Sequence, residues 1–474
     1  MRQVKVSRRG LLAAGALGAA APTTAIATPA LGAPTSVAYD VGAPMAAPTF
    51  PSGWRDASRI VTSMQAGHGW TSTGTIGGSN FNDSAVFVRG SRSASITTNG
   101  AGATATLRRF GLPAIDLTGK ALRLLLRVDN YTRVNTLNFF VGTSGLANNV
   151  KWRFNAHTSS SQIGLAGDWL VVTLQWSEIN TVAGAYTLSP TGAPSTTSGF
   201  TDMQIQVSDK GTGPVTLWLQ AVELIDSAVS TWPNGIVSIT FDDSNASARL
   251  AIQKMDTLGF RGTQYTIADA IGTPGRLTLA ELRSLQAMSG WEIAGHSYAS
   301  AAHATRYPNL TAQQVDDDAR SLKAWLVSNG FHGDSFAYPG GQYEKTVDGV
   351  PVDQLVARYF GSARTILSEV GVSTHAAIDA IPAAMPYRMR ALSSVSSLSS
   401  GPNKPSKLTA AGGMLDKVAS NGGWLNLVFH QIVTGAPTDP AEITQADFNL
   451  IMDAIAARGI PVIPVSDVVR RAGV

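Results

Sequence analysis

The sequence predicts two folded regions in tandem: an all-β sandwich of jelly-roll type, then an α/β domain arranged as an irregular (β/α) barrel of seven or eight strands. Two changes of pattern carry this. Across 53–228, short runs of β-branched and aromatic residues alternate with clusters of Gly, Asn, Ser and Thr, as in sandwiches. From 235 onward, strand-length apolar runs alternate with helical stretches, as in parallel α/β folds. A third observation favours the barrel: three of the later runs end in Asp242-Asp243, His296 and His430, and parallel barrels deliver polar groups to the C-terminal rim of their strands. A doubly wound open sheet is the competing arrangement.

Ahead of these regions, Ser7-Arg8-Arg9-Gly10-Leu11-Leu12 opens an alanine-rich stretch that stops at Pro22. Small-residue cleavage sites follow at Ala25-Ile26-Ala27 or Leu31-Gly32-Ala33. Residues 1–33 therefore predict a twin-arginine export signal and a secreted, extracellular or cell-wall protein. The apolar run is about a dozen residues, short of the ~20 a spanning helix needs, so no membrane span is expected. Residues 34–52 are rich in Pro, Ala, Gly and Thr and read as a linker.

The apparent basicity belongs mostly to the leader. Of 36 Lys and Arg, four (Arg2, Lys5, Arg8 and Arg9) lie there with no acidic residue, leaving 32 against 32 Asp and Glu. No basic run remains to neutralise phosphates, which excludes nucleic acid as a partner and suits an uncharged glycan. The absence of cysteine excludes disulfides, thiolate metal sites and thiol nucleophiles. Any metal must use His and carboxylate.

In the sandwich, strands are expected at 121–128, 137–141, 152–155, 169–175, 203–207 and 215–224. The pattern resembles the jelly-roll modules that accompany secreted carbohydrate-active enzymes. Trp152, Phe154, Trp169, Trp176, Trp218 and Tyr131 either form a platform for sugar rings or fill the core. Trp152 and Phe154, two apart, share one strand face, which favours the core.

In the α/β region a strand at 236–241 precedes a helix at 246–258 closed by Gly259. A strand at 264–267 follows. Thr278 with Glu281 makes a capping box for a helix to Met288, and Thr311 with Gln314 a second for a helix ending at Gly330. Further strands are expected at 291–294, 335–338, 363–366, 387–391, 425–429 and 461–463.

Four ordered motifs, Thr240-Phe241-Asp242-Asp243, Gly295-His296-Ser297, Phe336-Ala337-Tyr338-Pro339-Gly340-Gly341 and Leu427-Val428-Phe429-His430, resemble those of the polysaccharide deacetylase family over about 235–465. The resemblance implies a hydrolase that removes acetyl groups from N-acetylglucosamine polymers, or O-acetyl groups from xylan, with one divalent metal on an Asp-His-His set. Carried over, Asp243 and His296 are metal ligands and Asp242 is the base. The Gly340 backbone N–H is the oxyanion donor and His430 protonates the departing amine. Leu427, Tyr338 and Pro339 line the substrate pocket. The chemistry agrees: a metal beside a carboxylate activates water and polarises a carbonyl. Hard carboxylate with imidazole suits Zn first, with Co or Mn as alternatives.

Asp242 and Asp243 would diverge on a regular strand, so both reach one site only if the strand ends at Phe241. Otherwise one of them caps the next helix. The family's second histidine usually follows the first by four residues. Here position 300 is Ser and the next histidine is His303. On one continuous helix a spacing of seven gives about 10 Å, too far for two ligands of one ion, so 299–302 is expected to loop. His303 is the expected third ligand, with His375 in reserve. His332, just before a strand, belongs to the opposite rim. Ala337 stands where many family members carry an arginine that steadies the base, leaving Asp242 without that partner. Arg364 is a candidate partner for His430 or a structural pair. Two other readings compete: a non-catalytic sugar-binding protein on this scaffold, and a glycosidase. The latter needs two separated carboxylates that adjacent aspartates do not provide.

Overall fold

The computed structural model describes residues 60–471 apart from 66, 89, 155–165, 177–190, 228–230, 367–376, 382 and 384. The export signal, the linker and His375 lie outside the described residues, as does the Phe154 side chain.

The N-terminal region is a sandwich of two antiparallel sheets. One runs Ile76–Asp83, Ser93–Thr98, Thr216–Asp226, Lys120–Val128, Trp169–Gln175, with Ile60–Ser63 also on Thr216–Asp226; the other runs Thr71–Gly74, Thr104–Arg109, Asp202–Asp209, Val134–Thr143, Asn148–Phe154. All six expected strands are present. The five that sequence reading missed, Ile60–Ser63 through Thr104–Arg109, are short or hold few large apolar residues, so the apolar-polar alternation that marks a strand is faint in them. Leu107, Leu124, Leu126, Phe139, Ile205 and Leu217, from both sheets, bury in one core. Trp152, Trp169 and Tyr131 are buried there too, while Trp176 and Trp218 pack against it part-buried. Trp218 is held by its indole N–H on Asp83 Oδ2 (2.9 Å) and by Arg127 above its ring. The core reading therefore holds for the first three.

The second region is built on seven strands: β1 (Ile236–Phe241), β2 (Thr263–Ile267), β3 (Glu292–Ser297), β4 (Ser335–Ala337), β5 (Ser362–Arg364), β6 (Ile378–Asp379) and β7 (Trp424–Phe429). Their order is β5-β4-β3-β2-β1-β7-β6, and every pairing is parallel except β6 with β7. Two expected strands shrink to isolated bridges. Val462 bridges to Val237, and the 387–391 segment pairs through Met389 with Arg364 while Leu392 pairs with Leu427. That segment therefore runs between β5 and β7 and closes the ring, so the barrel is irregular as expected. Continuously buried strands such as β1, in which Ser238 and Thr240 give their hydroxyls to the Ile463 and Leu427 carbonyls, are what a sheet covered on both faces requires. Both capping boxes form, Thr278 with Glu281 and Thr311 with Gln314, each with side chain and backbone bonded reciprocally.

Candidate active site

β1 carries the chain to Phe241, whose ring stacks on Trp291 and Phe429. Asp242 still donates its backbone N–H to the Phe429 carbonyl. Asp243 and Ser244 then take φ of +64° and +57°, a left-handed turn. That turn brings the Asp243 side chain back to the rim that Asp242 faces, which is the strand ending the sequence required. Neither carboxylate caps the following helix; Asn245 and Ala248 occupy those positions.

Asp242 is 1% exposed, and Arg364, at 0%, donates Nη2 to its Oδ1. Its Oδ2 lies 3.9 Å from the Nε2 atoms of both His296 and His430. Burial alone would raise the Asp242 pKa, but Arg364, then His296 and His430, reverse the effect and hold it at about 2. The expectation that Asp242 lacks an arginine partner is thus corrected. β4 and β5 pair Ala337 with Arg364 in register, so the guanidinium arises one strand over, with its carbon 4.8 Å from the Tyr265 ring centre. Arg364 serves Asp242 and not His430. The signal that could have found it is strand register, which requires the fold.

His296, second to last in β3, is buried, and its Nδ1 lies 2.7 Å from the Ala337 carbonyl oxygen. A carbonyl only accepts, so Nδ1 carries the proton and Nε2 presents a lone pair. Burial pushes the His296 pKa down, against the pull of Asp242 and Asp243. His303 reaches the same point by a different route from the one expected. The segment after His296 is not a loop through 302: it turns at Tyr298 and Ala299 and enters a helix, Ser300–Thr305. The carboxylate of Asp318 accepts the N–H groups of Tyr298 and Ala299, each at 2.9 Å. Asp269 accepts Ser300 N–H at 2.9 Å. The 10 Å objection fails because His296 sits on the strand and only His303 on the helix. Burial, then His296 and Arg306, bring the His303 pKa down to about 3, so both imidazoles are neutral near pH 7.

His303 Nε2 is 3.0 Å from His296 Nε2 and 3.3 Å from Asp243 Oδ1, and His296 Nε2 is 3.6 Å from that oxygen. Ligands ~2.0–2.1 Å from one tetrahedral ion stand ~3.4 Å apart, which these separations bracket. Asp243 Oδ1 is buried without a hydrogen-bond partner, as an atom awaiting a cation would be. One carboxylate and two neutral imidazoles fit a divalent ion of the Zn, Co or Mn kind.

His430 follows β7. Asn245 Nδ2 donates to its carbonyl at 3.1 Å, and its buried Nδ1 has no hydrogen-bond partner among the described residues. Gly340 is exposed in the turn after β4, at φ +63°. Two expected pocket residues are corrected. The Tyr338 ring is wholly buried, its hydroxyl donating to the Tyr387 carbonyl at 2.9 Å. Leu427 is wholly buried, and strand alternation gives it the face of Phe429, which packs against Phe241 and Phe448. Pro339 is also buried. The turn between β4 and the rim thus offers backbone rather than the Tyr338 side chain. His332 is exposed ahead of β4, away from this rim.

The family model for polysaccharide deacetylase matches residues 230–353. This chain carries a polysaccharide deacetylase domain, of a hydrolase family. The matched part of the deacetylase domain holds Asp242, Asp243, His296, His303 and Gly340, and β5 and β7 beyond it add Arg364 and His430. No curated protein matches the chain. Among solved structures, the Xyl-CE4 domain of a multidomain xylanase from the hindgut metagenome of Trinervitermes trinervoides is 16% identical over 51% of this chain and 92% of its own, with TM-score 0.33. A family 4 acetyl xylan esterase from Clostridium thermocellum with a cobalt ion is 16% identical over 50% and 92%, with TM-score 0.32. A family 11 carbohydrate-binding module from Clostridium thermocellum, solved with a mixed-linked tetrasaccharide, is 9% identical over 35% and 95%, with TM-score 0.26.

Proposed function

We propose that the protein is an exported, metal-dependent hydrolase that removes acetyl groups from a polysaccharide, with N-acetylglucosamine units as its first substrate and O-acetylated xylan as the alternative. The observation that carries this reading is Asp243 Oδ1, without a hydrogen-bond partner, converging with the Nε2 atoms of His296 and His303 beside a second, arginine-paired aspartate. Asp243, His296 and His303 would hold the ion, taken first to be Zn. When bound, the ion supplies Lewis acidity toward water and toward the acetyl carbonyl.

The chain's own groups do the rest. Asp242, ionised throughout the working pH range, accepts a proton from the attacking water through Oδ2, while Arg364 keeps Oδ1 occupied and the carboxylate fixed. The Gly340 N–H takes the negative charge developing on the carbonyl oxygen. His430 holds a proton for the departing amine or alcohol. The leader directs export by the twin-arginine route, and the sandwich serves as a glycan-binding partner of the deacetylase domain.

Acetate release from a panel of N- and O-acetylated glycans, by protein loaded with Zn, Co or Mn and by chelated protein, tests the reading. Metal-dependent release that disappears on chelation supports it and separates amide from ester substrates. Glycan binding without release under any metal would make the protein a binder on a deacetylase scaffold.

A further inference from the structure

Two arginines outside the four motifs grip the main chain of candidate metal ligands. Arg276 Nη1 donates to the Asp243 carbonyl at 2.8 Å and to Asn245 Oδ1 at 2.6 Å. Arg306 Nη1 donates to the His303 carbonyl at 2.9 Å. Both grips fall where the backbone is unusual. Asp243 sits at φ +64° in the turn after β1. The helix bearing His303 has six residues and ends against Arg306, which itself takes φ +74° and ψ 140°. Side chains other than glycine rarely occupy that region, and such outliers persist only where the surroundings over-determine them.

Arg306 also occupies the place of a side chain at Gly340: a Cβ built there would lie 2.6 Å from its Nε. The Gly340 turn, the Arg306 guanidinium and the His303 carbonyl therefore form one stack. A helix of fewer than two turns has little cooperativity to fix the direction of a side chain. A charged donor on its carbonyl adds a constraint stronger than a neutral hydrogen bond.

We propose that Arg276 and Arg306 are positioning residues for the metal site, two clamps that hold the backbones of Asp243 and His303 so that Oδ1 and Nε2 converge. The Arg306 clamp compensates for the seven-residue spacing of His296 and His303, and glycine at 340 makes room for it. The inference rests on the metal-site reading above. Groups behind metal ligands typically change affinity by ~10–100-fold, and that is the size of effect the clamps produce.

The test is calorimetric titration of Zn²⁺ into chelator-stripped full-length protein, with thermal unfolding of each metal-free variant alongside. Wild type binds one ion. Arg276→Ala and Arg306→Gly bind about 10–100-fold more weakly. Arg306→Gly unfolds at an equal or higher temperature than wild type when metal-free, because glycine accepts the positive φ. Arg306→Lys, which keeps a cationic donor, recovers part of the affinity, and Gly340→Ala weakens binding by displacing Arg306. Variants with wild-type affinity overturn the clamps and leave the metal site standing. Affinity losses that merely track a falling unfolding temperature overturn them too. A wild type that binds no Zn²⁺ overturns the metal-site reading itself, and the clamps with it.

Discussion

Asp242 and Asp243 are covalent neighbours placed in opposite surroundings. Asp242 closes a strand, is sealed from solvent and has its charge answered by Arg364. Asp243 stands one residue on in a left-handed turn, 22% exposed, with one oxygen buried, unpartnered and facing His296 and His303. In one half of the rim the carboxylate is thus paired with a cation at the end of a regular strand, although Arg364 Nε and Nη1 and His430 Nδ1 are buried without hydrogen-bond partners among the described residues. The other half has its carboxylate unpaired and rests on a strained turn, the end of β3 and a six-residue helix. A protein loses stability by leaving a buried carboxylate oxygen without a partner, so the unpaired half is where an external ligand is to be expected, and the paired half is where a fixed protein group acts upon it.

The most direct way to break this contrast is to remove one charge at a time. Asp242→Asn should keep Zn²⁺ affinity within a few-fold and lower kcat for acetate release by ~10²–10⁴-fold, the usual worth of a general base. Asp243→Asn should abolish stoichiometric Zn²⁺ binding, and activity with it. Calorimetry beside acetate assays reads both. Loss of metal in the Asp242 variant, or its retention in the Asp243 variant, would show that the two halves have been assigned the wrong way round.

The second test concerns stability. Arg364→Ala leaves Asp242 buried without its cation, a change that costs about 3–5 kcal/mol. Adding Asp242→Asn to that variant should return a large part of the loss, since the stranded charge is gone, and the coupling measured by a double-mutant cycle in urea should be of the same order. A single-variant loss below about 1 kcal/mol would mean that the pair is solvated in solution, and the contrast between the aspartates would weaken accordingly.

How far the sequence foretold this rim depends on what kind of neighbour each residue has. Asp242, Asp243, His296 and His430 were legible because each ends an apolar strand, a local pattern. Arg364 was named as a candidate for His430 or for a structural pair but not as the partner of Asp242, since its position beside Ala337 is a fact of parallel register between strands 27 residues apart. The route of His303 was also misjudged. A turn held by Asp318, which lies on the later helix Ala312–Ser328, is a tertiary contact that no spacing rule reveals. Tyr338 and Leu427 lie two and three residues from Gly340 and His430 in sequence, yet their side chains enter the core; for Leu427 strand alternation accounts for it, since it takes the face opposite His430. In the sandwich, strands with large apolar residues declared themselves, whereas Ser93–Thr98 and Thr104–Arg109 are strands chiefly because better-patterned partners, Thr216–Asp226 and Asp202–Asp209, pair with them.

Acid titration of metal-free protein separates the two halves most gently. His303 has a pKa of about 3 folded against 6.5 for a free side chain. Between those values the unfolded chain binds the proton and the folded chain does not, so stability falls as pH drops below 6.5. Asp242 goes from 3.8 to about 2 on folding. Its contribution, roughly 2–3 kcal/mol by linkage, is intact above pH 3.8 and is lost as pH falls through about 2. Unfolding free energy should therefore decline in two windows, the first carrying the His303 contribution and the second the Asp242 contribution beside those of Glu281, Asp209, Asp348 and Asp416, whose carboxyls are also lowered on folding. His303→Ala should flatten the first by one proton and leave the second in place. Arg364→Ala should instead move the second upward, because the burial that opposes ionisation of Asp242 would no longer be offset by its principal cation. If one substitution shifts both windows equally, the two halves titrate as a single coupled cluster, and the division between a completed base and an open ligand set does not describe the rim.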